Sequence, residues 1–119
     1  MNTPGSANPI PHLWFVITDP EPATHLCAVV SLTTLRGDKD QTVVLGPSDH
    51  PYISRPSVIH YIGALIVIET RLAALVAART VQRHVSCSAE TLKLIQQGIS
   101  ASPYTPKKVV NFCKQSWNT

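Results

Sequence analysis

Charge is scarce in this chain. Only 14% of its 119 residues are Asp, Glu, Lys or Arg, against 44% apolar residues. Such a balance is low for a freely soluble monomer and implies that a partner subunit covers part of the apolar surface. There is no basic run of the kind used by nucleic-acid tails, and a net charge of +3 favours a polyanion without requiring one. Cysteine is sparse too: Cys27, Cys87 and Cys113 are odd in number, far apart and without a CxxC pair. Neither a disulfide framework nor a thiolate zinc site is supported, and a reducing compartment is the simplest reading. His25, His60 and His84 show no metal spacing. Glycine-rich phosphate loops and GxSxG elbows are missing. The N-terminus MNTPGSANPIP lacks a basic n-region and an apolar h-region, so it does not read as a signal peptide. The best membrane candidate, Val58 to Ala78, is interrupted by His60, Glu69 and Arg71, whose burial in lipid is too costly for a good span. What remains is a cytoplasmic protein with no membrane segment, no metal and no cofactor. Its length suffices for one domain with a modest core.

Residues 1–11 read as a flexible arm, since three prolines and a glycine leave too little to bury. Residues 12–119 form the domain. His12 to Thr18 (HLWFVIT) is nearly continuous in apolar character and predicts a strand buried on both faces. Asp19-Pro20-Glu21-Pro22 ends it. Leu26 to Leu35 is the next strand, closing on the hydroxyl pair Thr33-Thr34, and a charged loop from Arg36 to Asp40 leads into Thr42–Leu45. Ser57–Tyr61 and Ala64–Ile68 are further strand candidates separated by Gly63. Glu69–Ala78 is rich in helix formers. A second helix has Ser88 as N-cap, Glu90 in the first turn, a stripe of Leu92, Leu94 and Ile95, and Gly98 as its C-terminal stop. A third starts at Thr105 (cap) and Pro106, with Val109, Val110, Cys113 and Trp117 on one side. Strands first and helices after predict an α+β domain, a small sheet or partly open barrel with helices on one face or end.

The stretch from Asp40 to Tyr61 (DQTVVLGPSDHPYISRPSVIHY) organises the rest, as strand, tight loop and strand. Its loop gathers Asp49, His50, Arg55 and nearby hydroxyl groups within a dozen residues. Asp49 reads as a turn stabiliser after Pro47. Ser57 and Tyr61 are four apart on an extended segment and share a face. Tyr61 there can stack on a base or fill the core.

The order of these elements resembles the PemK/MazF family of toxins from bacterial toxin–antitoxin pairs. The strand HLWFVITDP, the strand VVSLTT, the short TVVL, the SxVxY-like Ser57, Val58 and Tyr61, and the helix SAETLKLIQQGI carry the likeness across about residues 12–100. Ser48-Asp49-His50-Pro51-Tyr52-Ile53 is similar to a GDHPFI-like signature of a divergent branch. The resemblance implies an SH3-like, partly open antiparallel barrel with two or three helices. It also implies a homodimer, a cognate antitoxin, and metal-independent endoribonuclease activity on single-stranded RNA. Typical members lead the first of these strands with arginine, where this chain has His12, and close the second with a threonine, matched by Thr33. They also begin with an apolar GDI-type strand that is absent here.

Metal-free RNA cleavage needs a base for the 2′-hydroxyl proton, a donor for the charge that develops on phosphate, and an acid for the leaving 5′-oxygen. Histidine, with an unperturbed pKa of about 6.5, can serve as acid or base, so His12 is the candidate for proton transfer. The hydroxyls of Thr33 and Thr34 can donate to phosphate, although ordinary strand filling explains them equally well. Arg36 and Lys39 are placed for backbone contact, or simply solvate a hairpin tip. His50, Ser57 and Tyr61 complete the expected RNA contacts. Two other readings stand beside this one. The first is a non-enzymatic toxin of the same architecture that poisons DNA gyrase through a C-terminal helix ending near Trp117. The second is an inactive relative that binds nucleic acid or peptide.

Overall fold

The computed structural model describes residues 13–37, 39–77 and 87–117. These form an α+β domain. Four strands, β1 (Trp14–Val16), β2 (Leu26–Thr34), β3 (Val44–Leu45) and β4 (Ser57–Ile68), are followed by three helices, α1 (Glu69–Ala77), α2 (Ala89–Ala101) and α3 (Lys107–Trp117). The sheet is antiparallel throughout, in the order β1-β2-β4-β3. The hairpin-joined β1 and β2 pair directly, and the long β4 then inserts between β2 and the short β3. The arm assigned to residues 1–11, together with His12, lies outside the described residues.

Side chains alternate across a strand, and in β1 this alternation is plain. Phe15 is buried, whereas Trp14 and Val16 are about half exposed. The expected two-sided burial of the first strand is therefore not what forms. Among the described residues α2 and α3 cover the face that carries Phe15, Ala28, Val30, Ile59 and Tyr61, where Ile95 and Ile99 of α2 and Val109 and Cys113 of α3 complete the core. The opposite face holds Cys27, Val29, Ser31 and Val58 buried among their neighbours, with Trp14, Val16, Val44 and Leu65 exposed.

The two strand candidates flanking Gly63 are one strand. Register shifts between Val29 and Ser31, so that Val29 faces Leu65 and Ser31 faces His60. Four residues of β4 thus bulge against one of β2, and the bulge re-aims the chain as β-bulges do. Gly63 belongs there because a Cβ would lie 2.6 Å from Cδ2 of the His60 ring. The connection from β1 to β2 is locked by the Glu21 carboxylate, which accepts from the Ala23 and Thr24 amides and the Thr24 hydroxyl. Next to it His25 takes a left-handed φ of 61°, a region that histidine tolerates better than most residues.

Capping at α2 follows the sequence at one end only. Ser88 accepts from the Thr91 amide at 3.1 Å, as an N-cap should. Gly98, however, does not stop the helix, which continues to Ala101. The stop comes from Ser102, extended ahead of Pro103, where the proline ring disfavours helical backbone in the preceding residue. Gly98 is required by packing: a Cβ there would sit 1.9 Å from the Tyr61 hydroxyl oxygen. At α3 the Pro106 carbonyl accepts the first helical bonds, from Val109 and Val110. The Thr105 hydroxyl, expected as the cap, is buried and makes no hydrogen bond.

Candidate nucleic-acid interface

The end of the sheet where β2 finishes and β4 begins collects most of the exposed polar chemistry among the strands. Thr34 faces Ser57 and Thr33 faces Val58 across the ladder, and the Leu35 amide bonds to the Pro56 carbonyl at 3.1 Å. Continuing that antiparallel register carries Arg36 toward Arg55. Both arginines are exposed, Lys39 is half-buried, and the Lys39 amide closes a turn on the Arg36 carbonyl at 3.1 Å. The register thus brings Arg36 and Arg55 to one end of the sheet, with Lys39 in the turn that follows Arg36. Arg55 was not among the residues the sequence singled out for RNA contact; only the β2–β4 register brings it to Arg36.

Asp40 anchors this loop. Its carboxylate accepts from the Thr42 amide at 3.0 Å and from the hydroxyls of Thr42 and Ser102. Partial burial pushes the Asp40 carboxyl up. The hydrogen bonds from Ser102 and Thr42, assisted by nearby His60, outweigh that effect and leave it below the ordinary carboxylate range. The Ser102 hydroxyl also accepts from the Tyr104 amide, so the cationic loop is tied to the connection between α2 and α3.

Thr33 is half-buried and Thr34 exposed, and as consecutive strand residues they stand on opposite faces of the sheet. Thr33 shares its face with Ser31 and His60, and His60 lies diagonally from it, two positions beyond Val58. Diagonal neighbours on one sheet face are roughly 7–8 Å apart, within reach of one substrate group. His60 is half-buried and is the described histidine best placed beside Thr33. Its position depends on the bulge, which shows no sequence signal beyond Gly63. His12, the expected proton-transfer group, lies outside the described residues.

Three expected RNA contacts are buried, Ser57 among them although it pairs with Thr34 at this sheet end. Tyr61 is fully buried, and its hydroxyl donates to the Ile95 carbonyl at 2.8 Å. Burial, then the charge of Asp40, pushes its phenol well above the ordinary tyrosine range. A ring enclosed in this way offers no face to a base, and the core role weighed against stacking is the one it occupies. His50 is buried at 4% exposure, accepts from the Tyr52 amide through Nδ1 at 3.0 Å, and stands edge-on to Phe15 with ring centroids 6.2 Å apart. Ser57 is buried and donates to the Arg55 carbonyl at 2.9 Å. Asp49 closes its turn as expected, accepting from the Gly46 amide at 2.8 Å while its own amide donates to the Gly46 carbonyl. The HPYI segment is thus a structural clasp: His50 and Ile53 are both buried against the sheet.

Among the described residues no three His, Cys, Asp or Glu side chains are grouped as metal ligands are, and no helix is long and apolar enough to cross a membrane. No family model, no curated protein and no solved structure matches the chain.

Proposed function

We propose that the protein is a growth-inhibiting toxin that cleaves single-stranded RNA without a metal ion, as the PemK/MazF resemblance implies. The observation that supports this reading best is that the β2–β4 register brings Arg36 and Arg55 to one end of the sheet, in the loop that carries Lys39 and next to Thr33 and Thr34, which stand on opposite faces. The cations neutralise and position phosphates, and a hydroxyl donor beside them stabilises charge developing on the scissile phosphate. Proton transfer falls to histidine. His12 fits by sequence. His60 is the second proton-transfer candidate, on the face that Thr33 occupies. The SH3-like barrel, the cognate antitoxin and the cytoplasmic setting belong to the same reading. A homodimer does as well, and the exposed apolar side chains Trp14, Val16 and Leu65 on one face of the sheet support it.

The test is steady-state cleavage of a single-stranded RNA by wild type, Thr33→Val and the double variant Arg36→Ala/Arg55→Ala. Thr33→Val lowers kcat by about ten- to a hundredfold with little change in KM, because its hydroxyl acts on the transition state. The arginine variant raises KM and flattens the salt dependence. Unchanged kinetics in both would remove the site from this end of the sheet.

The gyrase-poisoning alternative draws on Trp117, which ends α3 with 38% of its surface exposed. Deleting residues 117–119 distinguishes the two: a gyrase poison loses toxicity, while a ribonuclease keeps its turnover number.

A further inference from the structure

Beyond the sheet end, one cavity on the helical layer combines chemistry that the proposed cleavage site does not use. A shallow, open groove of about 410 Å³ lies along α2 beside the end of α3, lined by Lys93, Gln96, Gln97, Ser100 and Trp117. The four α2 residues follow the i, i+3, i+4, i+7 spacing of one helix face. That face lies outside the core, which takes Thr91, Ile95, Gly98 and Ile99. Trp117 stands four residues after the fully buried Cys113, so it continues the inward stripe of α3, yet its ring is left more than a third exposed beside α2.

Electrostatics favour an anion here. Across α2 and α3 the chain carries four lysines against one acidic residue, Glu90, which stands one turn before Lys93. The residues before α2 carry six Lys or Arg against six Asp or Glu, so the whole net positive charge belongs to the α2–α3 segment. Lys93 lies in the groove, and Lys114 is three residues from Trp117 on α3. The carboxamide of Gln96 is pinned by donating to the Ile17 carbonyl at 2.9 Å. With one N–H of Gln96 so engaged, its other N–H and its carbonyl oxygen, and the whole amide of Gln97, supply the donors and acceptors that read the edge of a base.

We propose that this groove is a second RNA contact, in which one unstacked base lies on Trp117, Gln96 and Gln97 meet its edge, and Lys93 holds a backbone phosphate. It deepens the RNA reading above and rests on it for the class of polymer. Aromatic stacking plus a nearby cation is the arrangement by which single-strand binders hold bases with little regard to sequence. Binding here would select single-stranded over duplex RNA and hold the substrate remote from the cleaving end.

The experiment is an equilibrium titration of the full chain with a fully 2′-O-methylated, uncleavable RNA of about eight nucleotides, a length within the usual single-strand site size. An abasic backbone of equal length serves as control. Trp117→Ala weakens binding of the base-bearing strand by about tenfold, Trp117→Phe stays within about threefold of wild type, and neither changes binding of the abasic strand. Lys93→Ala lowers the slope of log affinity against log salt by about 0.7. If Trp117→Ala binds the base-bearing strand as wild type does, or loses as much affinity for the abasic strand, the groove is not a base site. The same holds if wild type binds no RNA and a protein partner requires Trp117. Cleavage of unmodified RNA is scored separately. Tight, Trp117-dependent binding without cleavage sinks the ribonuclease reading and leaves the groove standing; cleavage with Trp117-independent binding does the reverse.

Discussion

Replacing Gly98 by alanine should destabilise the protein, against the usual direction for an interior helix glycine. By helix propensity alone the change stabilises by about 1 kcal/mol. At this position the new Cβ would lie 1.9 Å from the Tyr61 hydroxyl oxygen, 2.4 Å from Cζ and 2.9 Å from Cε2, where unstrained carbon contacts are about 3.5–4.0 Å. The Tyr61 ring is fully buried and cannot swing into solvent. Retreat would also break its bond to the Ile95 carbonyl, on the same helix one turn earlier. Overpacking costs about 1–3 kcal/mol, and stranding a buried hydroxyl costs about 1–3 kcal/mol. The net loss is therefore about 3 kcal/mol, a fall in Tm of about 10–20 °C for a domain of this size. Urea and thermal unfolding of the single variant, of Tyr61→Leu, and of the double variant would measure it. Shortening Tyr61 removes the ring tip, so Gly98→Ala becomes neutral or mildly stabilising in that background. A Gly98→Ala protein as stable as wild type, or equally damaged in both backgrounds, would refute the reasoning.

Other consequences are open to measurement. Asp40 has a folded-state pKa below its unfolded value of about 3.9, so the stability it adds is complete above that value and is lost as pH falls through the folded one. Urea unfolding between pH 6 and 2 should show the advantage of wild type over Asp40→Asn shrinking only at the acid end; a gap that does not change with pH contradicts the assignment. Ser102→Ala removes one donor to Asp40 and should cost about 1–3 kcal/mol while loosening the Arg36–Lys39 loop, seen as faster amide exchange there. Of the thiols, Cys113 is fully buried and burial pushes it up to about 11, and Cys27 is enclosed as well, whereas Cys87 is half-buried. A thiol reagent at pH 8 should modify Cys87 first and reach the other two only on unfolding. Equal rates at all three would show the core to be open.

Local chemistry was readable where the signal was local. The β2 span, the Ser88 cap, the Asp49 turn and the onset of α1 at Glu69 all follow from propensity, capping or turn residues. What failed depended on distant partners. Gly98 looks like a helix stop until Tyr61, thirty-seven residues earlier, is found against it. Tyr61 and Ser57 do share a face as the period predicts, but that face is the core, and alternation alone cannot say which side of a sheet the helices cover. For the same reason β1 read as buried on both sides. At the candidate site, Thr33, Thr34, Arg36 and Lys39 were legible as a hydroxyl pair followed by a basic loop. Arg55 and His60 join them only through the β2–β4 register and its bulge.

A metal-independent ribonuclease must cut single-stranded RNA in the presence of EDTA. The measurement is the initial rate on a mixed-sequence strand for wild type, His12→Ala and His60→Ala. Cleavage by wild type, lost or reduced at least a hundredfold in one histidine variant, is the predicted result. No cleavage by wild type at any enzyme concentration, with the fold intact by thermal unfolding, would contradict it.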